Sequence, residues 1–210
     1  MRNFALLISV LFHPLLMCTY GCLLLFFGIE NTVFDYLTSV GTKWRITLIV
    51  FIFSFIFPVL NIFILYKLKK IPQITLSNRR DRTFPYLMTA LFYFGLFYLM
   101  LDINIWTVIK ISVVGAGLAI LFTAIINLKY KISAHMVGVG GLLGVLICVS
   151  YLIKFDMTPF YILVIFLAGL LGFARLKLEE HQPYQIYTGF LLGLFVQAGL
   201  FFILQKIVYT

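Results

Sequence analysis

Two histidines and a set of cations stand out against an otherwise apolar chain. His135 closes the run Lys131-Ile132-Ser133-Ala134-His135. His181 lies in Arg175-Leu176-Lys177-Leu178-Glu179-Glu180-His181-Gln182-Pro183-Tyr184-Gln185. Both stand at the edges of long apolar segments, where ionisable groups are costly and mark function by default. Any one of these residues alone also fits interfacial anchoring or a topology signal. Together they suit phosphate-ester cleavage, which needs a nucleophile on phosphorus, an acid for the leaving oxygen, and cations or N–H donors around the equatorial oxygens. One imidazole can attack and become a phosphohistidine while the other protonates the leaving oxygen, and an ordinary histidine pKa near 6.5 suits both tasks. The scheme requires no metal and no other cofactor. The carboxylates are few and scattered, and Glu179 and Glu180 beside His181 have no His-x-x-x-His or acidic pair with them, so no metal site is expected.

The elements that hold these residues are dictated by composition. Of 210 residues, 63% are hydrophobic and 11% charged, against about 25% charged in an average soluble domain. A soluble core of this size has no use for so much apolar surface, whereas lipid-facing helices do. Aromatics at 18% suit interfacial belts as well. The net charge of +9 sits in short segments between apolar spans, which points to topology, anionic headgroups or a phosphate pocket and not to nucleic acid. Cys18, Cys22 and Cys148 lie inside apolar segments and read as buried packing. The length allows one integral membrane domain over 1–210, with no separate soluble catalytic domain. The first apolar run lacks a clean small-residue cleavage site and reads as a retained helix.

A helical span needs about 20 apolar residues. Spans are predicted over 4–27, 46–66, 86–101, 107–127, 135–153, 159–175 and 186–208, the third being the shortest. The expected fold class is therefore all-α, a polytopic transmembrane helical bundle of six or seven spans. Barrel strands would alternate apolar and polar residues in segments of about 10, and these segments are continuously apolar. Pro58 is a predicted kink, and His13 reads as a packing residue beside a second kink at Pro14. Gly138, Gly140, Gly141, Gly144, Gly169, Gly172, Gly189 and Gly193 read mostly as close helix approaches. Trp44, Trp106 and Tyr209 read as interfacial anchors, and Lys110 as a snorkelling cation.

The segments 67–85, 128–134 and 176–185 each follow an even-numbered span, so they share one membrane face with the N-terminus. They hold Lys67, Lys69, Lys70, Arg79, Arg80, Arg82, Lys129, Lys131 and Lys177, with Arg175 at their edge. The acidic residues Glu30, Asp35, Asp102 and Asp156 fall on the opposite face. Counting Lys and Arg places the basic face in the cytoplasm.

A family resemblance rests on these same residues. Ala174-Arg175, five residues, His181, three residues, Gln185-Ile186, two residues, Gly189 resembles the third signature of the type-2 phosphatidic-acid phosphatase superfamily, which reads S-R, five residues, H, three residues, D-V, two residues, G. Ile132-Ser133-Ala134-His135 resembles the second signature, P-S-G-H. The resemblance covers 131–189, inside a signature-bearing core of 128–208. It implies that His181 is the nucleophile, His135 the general acid, and Arg175 and Ser133 phosphate ligands, helped by the backbone N–H groups near Ala134 and His135. The nearest counterpart of the first signature, K, six residues, R-P, is Asn78-Arg79-Arg80-Asp81-Arg82-Thr83-Phe84-Pro85, at altered spacing. Arg79, Arg80 and Arg82, with Lys131, are therefore further phosphate-binding candidates.

Where the family has an Asp to orient its nucleophile, this chain has Gln185, whose carbonyl can still accept an imidazole N–H. The Gln resembles the third signature of dolichyl-diphosphate phosphatases and implies a polyprenyl phosphate or diphosphate as substrate, with phosphatidate the other lipid phosphate the family takes. The resemblance implies an active site on the outer face, against the Lys and Arg count. The expected partner is a membrane lipid substrate, and the expected location is a bacterial inner (plasma) membrane, crossed many times. Two other readings use the same residues: a catalytically degenerate relative that binds lipid phosphate or serves as a subunit of a membrane complex, and an unrelated small transporter.

Overall fold

The computed structural model describes residues 1–29, 36, 38–103 and 105–208; Glu30, Asp35 and Tyr209 lie outside the described residues. Seven helices are long and apolar enough to cross a membrane: α1 Arg2–Gly28, α2 Val40–Lys67, α3 Arg79–Met100, α4 Thr107–Asn127, α5 Ala134–Ile153, α6 Thr158–Lys177 and α7 Pro183–Leu204. No strand occurs among the described residues. The chain is a multi-pass helical membrane protein, as its hydropathy demands, because a helix pairs every backbone polar group within its own segment.

Local departures from regular α-helix include the break at Pro14 and a π-type turn over Leu24–Gly28 in α1, and a π-type turn in α2. In α1, the segment Arg2–Leu11 ends and a short turn, Pro14–Leu16, follows. His13 caps that turn, its Nδ1 accepting from the Leu15 N–H at 3.4 Å. Pro14, with no N–H to donate, is why the first helix stops here. In α2, a π-type turn over Ile52–Ile56 precedes Pro58, and the wider turn relieves the ring's clash with the carbonyl one turn back. The largest departure from the sequence reading is α3, which begins at Arg79 and not near 86. Asp81 in its first turn complements the positive end of the helix dipole, and Pro85 is carried inside the helix. The Thr89 hydroxyl donates to the Pro85 carbonyl at 2.7 Å. The three arginines before Pro85 thus stand on the opening turns of a helix and not in a loop.

At the centre of the bundle α5 packs against α7, α6, α4 and the second half of α1. The α5–α7 seam is built from paired glycines one turn apart, Gly140 and Gly144 on α5 and Gly189 and Gly193 on α7. A Cβ at Gly140 would strike the Phe190 carbonyl, and one at Gly193 the Val137 carbonyl. At Gly189 it would meet the Ser133 carbonyl at 2.7 Å, and at Gly144 the Leu194 carbonyl at 2.9 Å. Backbone rests on backbone along the whole seam, the arrangement small residues permit in lipid. Gly169 meets nothing within 4 Å and takes no part in such an approach. At the end of the seam facing the basic segments, the Ser133 N–H donates to the Gln185 carbonyl at 3.3 Å.

Gly140→Ala or Gly193→Ala is expected to destabilise the bundle by about 1–3 kcal/mol, the usual cost of overpacking, whereas Gly169→Ala changes nothing. Thermal unfolding of the three variants in detergent checks this; equal melting temperatures would remove the seam from its structural role.

Candidate functional site

The segment 178–182 is shaped by how α6 ends and α7 begins. The Glu180 N–H donates to the Arg175 carbonyl at 3.2 Å and the Glu179 N–H to the Leu176 carbonyl at 3.0 Å, with Glu179 at φ 58°. This is a Schellman closure with Glu where glycine is usual. It reverses the chain and folds Glu180 and His181 back over Arg175. Pro183 then opens α7 at the position that tolerates a missing N–H. Gln185, two residues on, reaches back to the start of the helix. Its Oε1 accepts from the Gln182 N–H at 3.2 Å, half of a capping box.

That cap orients the histidine. His181 is buried, and its Nδ1 lies 3.0 Å from the same Gln185 Oε1. Because the Gln182 N–H fixes Oε1 as an acceptor, His181 carries its proton on Nδ1 and leaves Nε2 with a free lone pair. The His181–Gln185 contact expected from the sequence therefore exists, but His181 precedes α7 and the two residues are joined through a helix cap.

Around His181 three cations converge from three segments: Arg82 at the start of α3, Lys131 between α4 and α5, and Arg175 at the end of α6. All three surround one atom, Glu180 Oε2, at 3.6, 3.8 and 3.6 Å respectively. Arg82 is itself buried and is braced by the Leu76 carbonyl, to which its Nε donates at 2.5 Å. Two buried donors beside this cluster, Ser133 Oγ and Arg175 Nε, have no hydrogen-bond partner among the described residues. Buried polar groups are almost always paired, so these two are candidate donors to a bound acceptor. Three cations thus surround one internal anion, the Glu180 carboxylate, with the two unpartnered donors as candidates for the same site.

The first helix completes the surroundings. Arg175 Nη1 donates to Ser9 Oγ at 3.4 Å. His135 Nε2 donates to the Ser9 carbonyl at 3.1 Å, which leaves its Nδ1 as the nitrogen free to exchange a proton. The His13 and His135 rings lie edge to face with centroids 5.6 Å apart. The structure thus brings together His181, Gln185, Arg175, Ser133, Lys131 and Arg82 and sets His135 beside them, within reach of the charges of Arg175 and His181. Arg79 and Arg80 stand apart. Arg79 Nη1 donates to the Leu128 carbonyl at 2.6 Å, capping the end of α4, and Arg80 is exposed. Sequence reasoning missed Glu180, Ser9 and His13 as members. Glu180 had a signal in its adjacency to His181. His13 read only as a packing residue beside Pro14, and Ser9 had no signal, since its contacts to His135 and Arg175 span 126 and 166 residues.

Burial, and then the positive charges of Arg82, Arg175 and Lys131, pull the His181 imidazole down to about 3, with the Gln185 bond acting in the opposite direction. Partial burial and Arg82 likewise lower Lys131, while Glu180 raises it. No family model, curated protein or solved structure matches this chain.

With its pKa pulled down to about 3, His181 is neutral at neutral pH. Its folded pKa lies below its unfolded value of 6.5, so between those values the unfolded chain binds the extra proton. The contribution of His181 to stability is complete above about pH 6.5 and is lost as pH falls toward 3. Histidine ring NMR at pH 5 is expected to show His181 neutral and protonated on Nδ1; a titration midpoint above 6 would contradict this geometry.

Proposed function

We propose that this protein is a membrane lipid phosphatase of the type-2 phosphatidic-acid phosphatase kind, acting in a bacterial inner membrane on a lipid phosphate monoester or diphosphate, with a polyprenyl chain favoured. The observation that carries this reading is the 3.0 Å contact of His181 Nδ1 with Gln185 Oε1, which assigns the ring proton to Nδ1 and leaves Nε2 bare beside three cations. Such a nitrogen is a nucleophile in a setting that draws phosphate.

The reaction follows from the residues. The phosphoryl group exchanges with the Glu180 carboxylate among Arg82, Lys131 and Arg175, and accepts from Ser133 Oγ and Arg175 Nε. His135 first accepts on Nδ1 the proton carried by the entering phosphate monoanion; His181 Nε2 then attacks phosphorus, the bond from phosphorus to the ester oxygen breaks, and the departing oxygen takes that proton from His135 Nδ1. Water then attacks the phosphohistidine. His135 Nδ1 recovers a proton from that water, the N–P bond breaks, and inorganic phosphate leaves with His181 restored. The Ser9 carbonyl holds the far N–H of His135 through both steps, and Gln185 does the same for His181. A neutral amide orients the ring without supplying the charge that a carboxylate brings.

A second reading, a lipid-phosphate binder without turnover, has that neutral amide in its favour. It is distinguished by wild-type protein that binds lipid phosphate and releases none. On the phosphatase reading, phosphate release from a polyprenyl phosphate persists in EDTA and disappears in His181→Ala. Gln185→Leu lowers the rate about tenfold to a hundredfold, as loss of an orienting partner does, whereas Gln185→Glu keeps the reach, adds charge and maintains or raises it. An undiminished rate in a well-folded Gln185→Leu protein would remove Gln185 from the site.

The internal carboxylate generates a further expectation. Glu180→Gln removes the anion that competes with substrate, so KM falls by on the order of tenfold, about 1.4 kcal/mol, with kcat little changed. A rise in KM would show that Glu180 assists binding and does not occupy the site.

A further inference from the structure

The break in α1 is made by Phe12, His13 and Pro14. The Phe12 N–H is the last to donate into the opening helix, to the Ile8 carbonyl at 3.0 Å. His13 then turns extended, at φ −62° and ψ 138°, as a residue before proline does to clear the ring. Pro14 has no N–H for the Val10 carbonyl. The Leu15 N–H, which a continuous helix would return to the Leu11 carbonyl, donates to His13 Nδ1 instead. Among the described residues no backbone N–H donates to the Ser9 carbonyl, because His13, whose N–H would reach it, has left the helix.

A carbonyl freed within lipid needs another donor, and two of these find one in a side chain. The Tyr20 hydroxyl donates to the Leu11 carbonyl at 2.7 Å. His135 Nε2 donates to the Ser9 carbonyl at 3.1 Å. A carbonyl only accepts, so this bond keeps a proton on Nε2. In an unbroken helix the Ser9 carbonyl would be taken by the His13 N–H, and His135 would lose the acceptor that selects its tautomer. Ser9 is buried, and its hydroxyl accepts from Arg175 Nη1 at 3.4 Å. The residue freed by the break therefore holds both His135 and one cation of the cluster. The His13 ring also lies edge to face with His135, the centroids 5.6 Å apart.

We propose that the His13-Pro14 break is a positioning device for His135. By withdrawing the helical donor from the Ser9 carbonyl, it holds the imidazole in the Nε2–H form and makes Nδ1 the nitrogen that exchanges protons. When His135 takes up the phosphate proton both nitrogens carry hydrogen. The Nε2–H stays bonded to Ser9, so the proton given to the leaving oxygen is the one on Nδ1. His13, Pro14 and Ser9 are positioning residues that act through His135. The catalytic consequence rests on the phosphatase reading above, whereas the tautomer does not.

The test uses the full chain in lipid nanodiscs, with nitrogen-labelled histidine and carbonyl-labelled serine read by solid-state NMR. Wild-type His135 is expected in the Nε2–H form at neutral pH, with a dipolar contact from Nε2 to the Ser9 carbonyl carbon. His13→Leu combined with Pro14→Ala removes cap and proline together and lets α1 run through. That double variant is expected to lose the contact and to show a mixture of His135 tautomers. His13→Asn keeps a capping acceptor and Ser9→Ala keeps the carbonyl, so both retain the Nε2–H form. Phosphate release from farnesyl phosphate is expected to fall about tenfold or more in the double variant, as on loss of an orienting partner. If the double variant does not fold, Pro14→Ala alone decides, by an Nδ1–H fraction above that of the wild type. A wild-type ring protonated on Nδ1, or a tautomer that neither Pro14 variant changes, overturns the proposal and leaves the phosphatase standing. A mixture of tautomers in His13→Asn assigns the hold to the ring contact and likewise overturns it. A tautomer that the break controls, in a wild type that releases no phosphate, keeps the device and rejects the phosphatase.

Discussion

The site depends on the glycine seam between α5 and α7. Lipid gives no hydrophobic drive for helices to associate, so close approach comes from packing and from the absence of side chains in the way. Gly140, Gly144, Gly189 and Gly193 let the two backbones touch, and the seam ends with Ser133 on one helix and Gln185 on the other joined by a backbone hydrogen bond. Part of what bears on His181 is placed by that junction, while Arg82 and Arg175 arrive from α3 and α6. Ser133 and Lys131 come in on the start of α5, while Gln185 and His181 come in on the start of α7. A side chain anywhere along the seam would push one set away from the other.

The electrostatics make sense only around an anion. Three cations from separate segments, each partly or wholly removed from water, repel one another, and gathering them is costly unless something negative sits between them. In this structure Glu180 supplies that charge. Its carboxylate is delivered by the Schellman closure of α6, and the φ of 58° at Glu179 shows how tightly the chain turns to deliver it. A carboxylate and a phosphate share acceptor geometry toward guanidinium groups, so the same cluster suits either. The carboxylate leaves Ser133 Oγ and Arg175 Nε unpartnered, which a group with more oxygens is able to satisfy.

Below the charged layer, the interior changes character abruptly. Hydroxyls on α3 and α4 turn back onto their own helices, and small residues on α4 and α5 leave space in place of packing. The charged cluster and an apolar cavity lie next to each other at Tyr86 and Ala134, which line the cavity. The α1 break at His13 belongs to the same border, since the halves of α1 on either side of it face the two regions.

Sequence alone determined the helical class and bounded the spans at six or seven, because transfer of apolar segments into lipid is a property summed along the chain. It also determined the spacing of Arg175, His181 and Gln185, and with it the idea that an amide holds the histidine. It misjudged the start of α3, since hydropathy does not report a polar helical extension such as the turns before Pro85. Only the tertiary structure decided that the His181–Gln185 contact runs through a helix cap, that Arg82 reaches the cluster while Arg79 caps α4 and Arg80 faces out, and that Glu180 sits among the cations. Only it placed Ser9 and His13 beside His135. Contacts such as Ser9 to His135, across 126 residues, are set by how helices pack, and no local pattern in the chain encodes which residue of a distant helix will arrive there.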